Sequence, residues 1–552
     1  MVGRMELPSR AAWQADVVAA VAVTFMAVPQ GVAYALIAGL PPAAGLYAAA
    51  IPVIVGAVAR SSRFVVTGPT NALSLLVGAM AVGQLGVPPV QAALLLALLV
   101  GLLQVGAGLL RLGVLVNYIS GPVVLGYITG AGVLIGVGQW RHLVADPWSI
   151  GTGLAVAAGI VALRWGLPRL PGAVVMLSLA TAASWAADFG ALGVARIADL
   201  ASIPVGLPPL TLPPMNLELA RALVPVAIAA TVLSLVESSS VARTLAAKTG
   251  EPIDLDRDFL GQGLANVAAA FFGGYPTSGS LSRSALNYSA GATSRASAAL
   301  SGVAMLGVLA VLGPVVDHTP ISALAGLLLV VAVDLVDLEQ IRRVVSGGRR
   351  GDLLAFAGTL IGTWVLPLDQ AILLGVAISI GMFLRRVRHL TLRRLVLEDG
   401  LLREAKRDAA DPSCPAVRIL HVEGQLFFAA APILEAALNE ATADPAVRVV
   451  ILRMKRSQGV DATTAGMLRG AAERMAERGQ HLILVGMRSR AMEILQIGGV
   501  VDALGPDKIF PTEPGWFAAM NRAIASAVTL AGDHGHACPL QAYLDDAEQP
   551  GA

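Results

Sequence analysis

Long apolar stretches with few charges run through the first part of the sequence, up to about residue 390. No charged residue lies between Arg63 and Arg111, or between Arg111 and Arg141. Each of these gaps is longer than the roughly 20 apolar residues that a helix needs to cross a hydrocarbon core. Such stretches predict membrane-spanning helices rather than the buried core helices of a soluble protein.

The apolar pattern divides this part of the chain into fourteen segments, several of them short. They predict an α-helical membrane domain of 14 transmembrane segments. The segments are 16–38, 43–59, 66–81, 88–110, 116–139, 149–165, 171–189, 221–246, 256–273, 278–290, 297–315, 320–337, 352–366 and 369–386.

The positive charges are distributed unequally between alternate loops. If the N-terminus is cytoplasmic, the loops of the opposite side hold only Arg141, Arg196 and Arg221. The positive-inside rule requires such an asymmetry. It predicts an even number of spans, with both termini in the cytoplasm of a multi-pass protein of the bacterial inner membrane. The cytoplasmic loops would hold Arg60, Arg63, Arg111, Arg164, Arg169, Arg243, Lys248, Arg295, Arg342, Arg343, Arg349, Arg350 and the run from Arg385 to Arg394.

Composition excludes several other classes of protein. The 552 residues are 56% hydrophobic and 14% charged, whereas soluble domains are about 25% charged. The net charge of +2 is too small to indicate a nucleic-acid partner. Cys414 and Cys538 imply no disulfide framework, and no nucleophile–base pair with catalytic spacing is present. We therefore predict that the chain is not an enzyme and that it holds no cofactor or metal ion.

A rise in charge density near residue 395 predicts a second, soluble domain. Beyond it, strand-like runs at 417–422, 447–452 and 481–485 alternate with helical patterns around 431–441 and 464–478. This alternation predicts a small α/β domain. We place the membrane domain at 1–395, the cytoplasmic α/β domain at 396–530 and a disordered tail at 531–552.

The third and tenth segments are interrupted by Pro and Gly before they turn helical. They open with residues 65–71, Val-Val-Thr-Gly-Pro-Thr-Asn, and with residues 275–284, Tyr-Pro-Thr-Ser-Gly-Ser-Leu-Ser-Arg-Ser. Each is the third member of a set of seven, and paired interruptions of this kind indicate the central site of a transporter. The N-terminus of a half-helix presents free N–H groups and a positive dipole to an anion. The sequence predicts two such ends facing each other across a polar cavity, although two packing kinks would give the same pattern.

Two ionisable residues sharpen this interpretation. A cation near the bilayer centre costs about 2.5–3.5 kcal/mol on insertion scales, so Arg283 is expected to be functional. Beside Ser280 and Ser282 it favours an anion site, the alternative being an arginine that extends to the membrane surface. Glu237 is the only acid of segment eight before its cytoplasmic end, which makes it a candidate proton carrier. Its alternative role is a structural ion pair with an arginine such as Arg283.

Several motifs in order resemble the sulfate permease (SulP) family of anion transporters. Residues 29–35 read Pro-Gln-Gly-Val-Ala-Tyr-Ala, and residues 38–47 read Ala-Gly-Leu-Pro-Pro-Ala-Ala-Gly-Leu-Tyr. The match continues at 240–250, at 263–266 with 271–273, and at 280–284. The resemblance implies 7+7 inverted repeats with two half-helices, divided into a core and a gate domain. It also implies a C-terminal STAS domain and a homodimer.

The resemblance also assigns roles to single residues. Those that match positions lining the family's substrate cavity, or opening its two half-helices, are Gln30, Tyr34, Pro69, Thr70, Ser282 and Arg283. Position 237 tends to be uncharged in animal exchangers and acidic in many bacterial and plant symporters. Glu237 therefore implies cation coupling, with H⁺ or Na⁺ as the cation. In the STAS domain, Asp461 and Thr463 stand where sporulation relatives carry a phosphorylated motif, but the match is loose and a packing role is the alternative.

These features favour cation-coupled symport of a small anion across the lipid bilayer, with a proton as the expected partner ion. The sequence leaves sulfate, bicarbonate and small dicarboxylates open as substrates. An uncoupled anion exchanger or channel, Na⁺-coupled bicarbonate uptake, a nucleobase permease and a membrane-anchored sensor are the alternatives. Arg283 and the STAS domain argue against the nucleobase permease.

Overall fold

The structure of the protein is a computed structural model. It describes residues 10–80, 86–167, 170–311, 313–347, 350–387, 390–398, 401–405, 414–514, 517–532 and 538–547. The chain divides into two compact units, Met1–Ile380 and Gly381–Ala552.

The first unit is almost entirely helical. Its helices are α1 Arg10–Ile37, α2 Pro42–Ala48, α3 Ile51–Ala59, α4 Asn71–Gly78, α5 Pro89–Leu109, α6 Gly121–Gly138, α7 Trp140–Leu143, α8 Pro147–Gly166, α9 Gly172–Ala186, α10 Ile197–Leu200, α11 Leu217–Thr249, α12 Leu255–Phe271, α13 Leu281–Ser289, α14 Ala296–Val311, α15 Gly313–Val316, α16 Ile321–Leu335, α17 Leu338–Gly347, α18 Arg350–Val365 and α19 Leu368–Val387, the last of which continues into the second unit. A 3-10 helix covers Leu112–Tyr118, and two short strands are β1 Thr67–Gly68 and β2 Ser278–Gly279.

Each of the fourteen predicted segments contains a helix in the described part of the chain. Eight helical stretches there are long and apolar enough to cross a membrane, and α9 and α14 are shorter apolar helices. These helices fit the predicted helical membrane domain, while the count of fourteen spans stays a prediction. The eight are Arg10–Ile37, Pro42–Ala59, Pro89–Leu109, Gly121–Leu143, Pro147–Gly166, Leu217–Thr249, Ile321–Gly347 and Leu368–Arg385.

Small residues let the helices of this unit approach closely. A Cβ atom at Gly126 of α6 would lie 2.5 Å from the carbonyl oxygen of Phe356 on α18. At Gly101 of α5 it would lie 2.7 Å from the backbone nitrogen of Val267 on α12. Because lipid tails are as apolar as Leu, close van der Waals packing between small residues stabilises such helix pairs.

The second unit is an α/β domain with one mixed sheet. The strands are β3 Thr391–Glu398, β4 Leu401–Glu404, β5 Val417–Gln425, β6 Val449–Gln458, β7 His481–Met487 and β8 Ile509–Pro511, in the order β4-β3-β5-β6-β7-β8. The helices are α20 Ala431–Ala441, α21 Ala462–Glu477, α22 Ser489–Ile497, α23 Val500–Leu504, α24 Ala518–Ala531 and α25 Pro539–Ala547, with a 3-10 turn at Pro506–Lys508. The strands β5 to β8 are parallel, whereas β3 is antiparallel to β4 and β5.

Helices cover both faces of this sheet. Successive strand residues point to opposite faces, so Val450 and Leu452 pack in one hydrophobic cluster with residues of α20 to α23. Val449 and Ile451 pack in the other cluster with residues of α24 and α25. The predicted α/β architecture is confirmed.

The structure differs from the prediction within the range expected to form a disordered tail. Residues Pro539–Ala547 form α25, in which Leu540 is buried and the hydroxyl of Tyr543 donates to Asn521 at 3.1 Å. Leu540, Tyr543 and Leu544 recur at helical spacing and pack in the hydrophobic cluster that contains Val449 and Ile451. The residues 533–537 and 548–552 of the expected tail lie outside the described residues.

Candidate anion-binding site

The two interrupted segments cross each other through backbone hydrogen bonds. β1 pairs antiparallel with β2, with Thr67 opposite Gly279 and Gly68 opposite Ser278. Beyond the strands, the N–H of Ser280 donates to the carbonyl of Val66 at 3.0 Å. These hydrogen bonds pair the backbone N–H and C=O groups of the two extended segments, which would otherwise lack partners in the buried interior. It brings the start of α4, an eight-residue helix, next to the start of α13, a nine-residue helix.

Arg283 joins the two segments through its side chain. The residue is fully buried, and its Nη2 donates to the carbonyl of Pro69 at 2.6 Å. Its Nε and Nη1 have no hydrogen-bond partner among the described residues. Gly68 has φ +148°, and a Cβ atom there would lie 2.9 Å from Nη1 of Arg283. The guanidinium thus holds one segment against the other and retains two N–H-bearing atoms for a further acceptor.

Glu237 lies beside the same crossing. It belongs to α11 and is half-buried, and the hydroxyl of Thr70 donates to its Oε2 at 3.1 Å. No ion pair joins it to Arg283 in the part of the chain that the structure describes, so the ion-pair alternative is not seen here. The predicted coupling residue therefore touches the first residue before α4.

Gln30 and Tyr34 both belong to α1, the helix that packs against α4 and α13. Both are buried, 6% and 5% exposed respectively, and Pro29 lies within the same helix. Tyr34 lies within electrostatic range of both Arg283 and Glu237. The Oε1 atom of Gln30 has no hydrogen-bond partner among the described residues. These two side chains are thus on the helix that borders the crossing.

The two predicted serines at the start of α13 differ in burial. Ser280 caps the helix, because its hydroxyl accepts from the N–H of Arg283 at 3.4 Å, and it is 7% exposed. Ser282 is exposed, although its hydroxyl lies 3.3 Å from that of Ser280. The structure therefore brings together Tyr34, Pro69, Thr70, Glu237, Ser280, Ser282 and Arg283. Gln30 lies one turn before Tyr34 on α1.

A buried polar network next to the strands was not identified from the sequence. The amide of Gln262 donates to the carbonyl of Thr277 at 2.8 Å, and Asn266 accepts from the N–H of Thr277 at 2.6 Å. Asn266 also donates to Gln104 at 2.7 Å. The signal that could have revealed it is the presence of amide side chains inside apolar segments, which is costly unless they are hydrogen-bonded.

A large cavity lies elsewhere in the first unit. It measures about 810 Å³ and is lined mainly by apolar side chains of α1, α9 and α14 to α16, such as Phe25, Leu177 and Val308. No predicted site residue lines it among the described residues. The polar cavity between the half-helices therefore stays a prediction.

In the second unit, Asp461 has a structural role at the start of α21. Its carboxylate accepts from the N–H of Thr464 at 2.9 Å and from the N–H of Phe428 at 2.7 Å. Burial alone would raise the pKa of Asp461, but these hydrogen bonds outweigh it and the pKa lies below its usual value. Thr463 is exposed in the first turn of the helix.

One informative relative is a bacterial protein named a "probable sulfate transporter", from Mycobacterium tuberculosis strain CDC 1551. It is 30% identical, over 92% of this chain and 95% of its own length. Among solved structures, the murine Solute Carrier 26 family member A9 anion transporter in the inward-facing state has a TM-score of 0.84. It is 19% identical and covers 95% of this chain and 92% of its own. The transmembrane domain of the cyanobacterial bicarbonate transporter BicA has a TM-score of 0.58 and 21% identity, over 68% of this chain and 99% of its own.

These structural likenesses confirm the predicted fold class, a helical membrane domain followed by an α/β STAS domain. The sequence model of the STAS domain matches residues 410–514. The model of the Sulfate permease family matches residues 13–147 and 147–359, which together are more than half of the chain. The protein therefore belongs to the sulfate permease family, whose members are membrane transporters of anions.

Proposed function

We propose that the protein takes up a small anion together with a cation, and that the cation is a proton. One observation carries the proposal: the fully buried Arg283 joins the starts of α4 and α13 and lies beside Glu237 without pairing with it. This arrangement combines an anion-attracting group and an ionisable carboxylate in one place, which is what coupling between the two requires.

Charge and donor geometry support an anion at the crossing. The N-termini of α4 and α13 contribute positive dipole ends and N–H groups. Arg283 adds a permanent charge and two N–H-bearing atoms without partners among the described residues. A guanidinium suits planar or tetrahedral oxyanions because its N–H groups can bind two oxygens at once. The proposed contacts are Gln30, Tyr34, Pro69, Thr70, Ser280, Ser282 and Arg283.

The electrical work of uptake supports cation coupling. An anion entering a cell that is negative inside climbs about 2.3 kcal/mol per charge per 100 mV. A proton carried with the anion cancels the electrical work of moving one negative charge. Glu237 accepts a hydrogen bond from Thr70, the residue directly before α4, so the protonation of Glu237 can act on the anion site through one contact.

Sulfate is the first substrate to test, because the bacterial relative is named a sulfate transporter. Bicarbonate is the second, since the solved transmembrane domain of similar fold belongs to a bicarbonate transporter. Backbone dipoles recognise charge more than shape, so small dicarboxylates are also candidates. We further propose a homodimer in the bacterial inner membrane, with both termini, the STAS domain of 396–530 and the remaining tail in the cytoplasm.

Radiotracer uptake into proteoliposomes tests this function. Sulfate, bicarbonate and a dicarboxylate such as succinate are each offered with no gradient, with an inward proton gradient and with an inward Na⁺ gradient. We expect one anion to accumulate and the proton gradient to accelerate it. A rate of uptake that changes with neither gradient would instead identify an exchanger or channel. Acceleration by the Na⁺ gradient alone would identify Na⁺ coupling. No flux of any anion would favour the sensor alternative.

A further inference from the structure

A second arginine of the first unit is fully buried and has no place in the site described above. Arg60 follows α3, is 0% exposed, and donates from Nη2 to Oε1 of Gln262 at 2.5 Å. Its Nε and Nη1 have no hydrogen-bond partner among the described residues. Asp258 lies within electrostatic range, but its carboxylate accepts hydrogen bonds from Ser61 and Ser62. A buried cation is costly unless its contacts compensate for lost water.

A glycine in α12 allows the backbone of that helix to lie close to Arg60. A Cβ atom at Gly261, the residue before Gln262, would lie 2.7 Å from the backbone nitrogen of Arg60. Any larger residue at that position would push α12 away from the end of α3. The glycine thus places the amide of Gln262 within reach of the guanidinium.

Gln262 in turn contacts both interrupted segments and α11. Its Oε1 also accepts from the hydroxyl of Ser238 at 3.2 Å and lies 3.5 Å from the hydroxyl of Thr67 in β1. Its Nε2 donates to the carbonyl of Thr277, directly before β2, at 2.8 Å. One amide therefore connects Arg60 to both strands and to the residue next to Glu237.

The direction of these hydrogen bonds follows from the chemistry of arginine. Arginine can only donate, so the atom of Gln262 that faces it must be the oxygen, and the NH₂ group must face Thr277. The hydroxyl of Ser238 donates its proton to the same oxygen and accepts from the N–H of Gly279, which lies 2.8 Å away. Arg60 and the carbonyl of Thr277 therefore favour the same orientation of the Gln262 amide from its two ends.

We propose that Arg60 is a positioning residue of the anion site, acting through the amide of Gln262 on the strands that precede α4 and α13. The proposal rests on the proposed function of that crossing. Without a donor at position 60, the oxygen of the Gln262 amide loses its charged partner, and the amide is free to move away from the two segments. The carbonyl of Thr277 would then lose one of its three donors and keep Ser234 and Asn266.

The test compares three variants of the full-length protein. Arg60→Met removes the donor while keeping an unbranched side chain, and Arg60→Lys keeps a donor. Arg63→Met is the matched control, because this nearby arginine is exposed and pairs with Glu251 instead. Two quantities are measured: the KM and maximal rate of anion uptake, and hydrogen exchange at the backbone amides of residues 277–284.

We expect Arg60→Met to raise KM roughly tenfold and to speed exchange at 277–284 by a similar factor, with little change in maximal rate. Arg60→Lys should restore both to within about threefold, and Arg63→Met should change neither. If Arg60→Met does not fold, Gln262→Glu takes its place. That substitution keeps an acceptor for Arg60 but removes the donor to Thr277, so the same two changes are expected.

Unchanged KM and unchanged exchange in Arg60→Met would overturn the proposal, as would an equal effect of Arg63→Met. A fall in maximal rate with no change in KM or exchange would also overturn it. The exchange measurement needs no transport, so it remains decisive if the wild type carries none of the anions tested and the proposed function itself fails.

Discussion

Arg283 and Glu237 contact two consecutive residues of the same crossing, yet they do not pair in the part of the chain that the structure describes. The guanidinium contacts the carbonyl of Pro69, and the carboxylate contacts the hydroxyl of Thr70. A direct ion pair would neutralise both groups and leave little attraction for a substrate. The two contacts fall on the consecutive residues Pro69 and Thr70 instead, an arrangement that would leave each group available to its own ligand under the proposed function.

The first prediction concerns Glu237. We expect Glu237→Gln to abolish the acceleration of uptake by an inward proton gradient, because an amide cannot take up the proton. Binding of the anion should persist within about threefold, since Gln can still accept from Thr70 and the proposed anion contacts are unchanged. The measurement is uptake at fixed internal pH and varied external pH, with substrate affinity determined in parallel.

Glu251→Gln serves as its control, because that acid belongs to the same unit but pairs with Arg63 outside the site. The pH dependence of uptake by Glu251→Gln should match that of the wild type. If the Glu237 variant also keeps the wild-type dependence, the carboxylate is structural. If a Na⁺ gradient drives the wild type, Glu237 belongs to a cation site.

A second prediction at this scale concerns the cap of α21. Asp461→Ala should destabilise the start of that helix by about 1 kcal/mol, the usual cost of losing an N-cap. Hydrogen exchange of the α21 amides in the full-length protein measures this. Because the pKa of Asp461 is depressed, its contribution is present above the unfolded pKa and is lost as pH falls through the folded pKa.

The difference in hydrogen exchange of the α21 amides between wild type and Asp461→Ala should therefore disappear in strong acid. Glu477→Ala, at the other end of the same helix, is the matched control and should leave the first-turn amides unaffected. A difference that stays constant down to low pH would mean that the cap does not depend on the ionised carboxylate.

Single residues differed in how well the sequence predicted them. Arg283 and Thr70 could be identified because a charge or a Pro-Thr pair is unusual inside an apolar segment. Arg60 could not, since its position in a short loop between segments is typical of an arginine at the membrane surface. Its burial depends on Gly261 of α12, about 200 residues later in the chain, and no local pattern reveals such a contact.

At the scale of elements, the pairing of β1 with β2 brings the starts of two short helices, α4 and α13, together. Each strand has two residues, and neither would be stable alone. The glycine at 68 is essential to their geometry because its φ of +148° is one that other residues rarely adopt, and because the guanidinium of Arg283 occupies the space of a side chain.

We expect Gly68→Ala to raise the KM for the anion by at least tenfold, since a Cβ atom would displace the guanidinium from Pro69. Uptake kinetics and the thermal stability of the variant provide the measurement. Gly250→Ala is the matched control: this glycine has φ +72°, but a Cβ atom there would have no neighbouring atom within 4 Å.

The control should lose about 1 kcal/mol of stability from backbone strain and transport normally. Equal loss of affinity in both variants would indicate general backbone strain rather than a clash with Arg283.

The sequence predicted the helices of the membrane domain well, because a long apolar run has few alternatives in a bilayer. It also predicted which two segments are interrupted. It did not predict that these segments pair as strands, since two-residue strands have no periodicity to detect. The helix Pro539–Ala547 was missed for another reason. Its three apolar residues pack against residues of the sheet and α24, which are distant in sequence, so the local pattern alone does not reveal the helix.

For the whole molecule, the division into two compact units leads to the next prediction. We expect a chain ending near residue 400 to yield an inserted, folded membrane domain with altered transport or assembly, because domain boundaries fall where few contacts cross. Circular dichroism, size-exclusion chromatography and uptake measure the outcome. A truncated chain that cannot be purified in folded form under any condition would mean that the two units fold cooperatively.

The contact between Arg283 and Pro69 spans 214 positions of the chain, and this has a consequence for biosynthesis. When the ribosome has made only the first half, the segment around Pro69 enters the membrane without the strand and the cation that complete it. The proposed anion site is therefore incomplete until the segment that contains Arg283 has been made. A chain interrupted before that point has β1 without its partner strand, so the backbone N–H and C=O groups of Thr67 and Gly68 lose the pairing that they have in the complete protein.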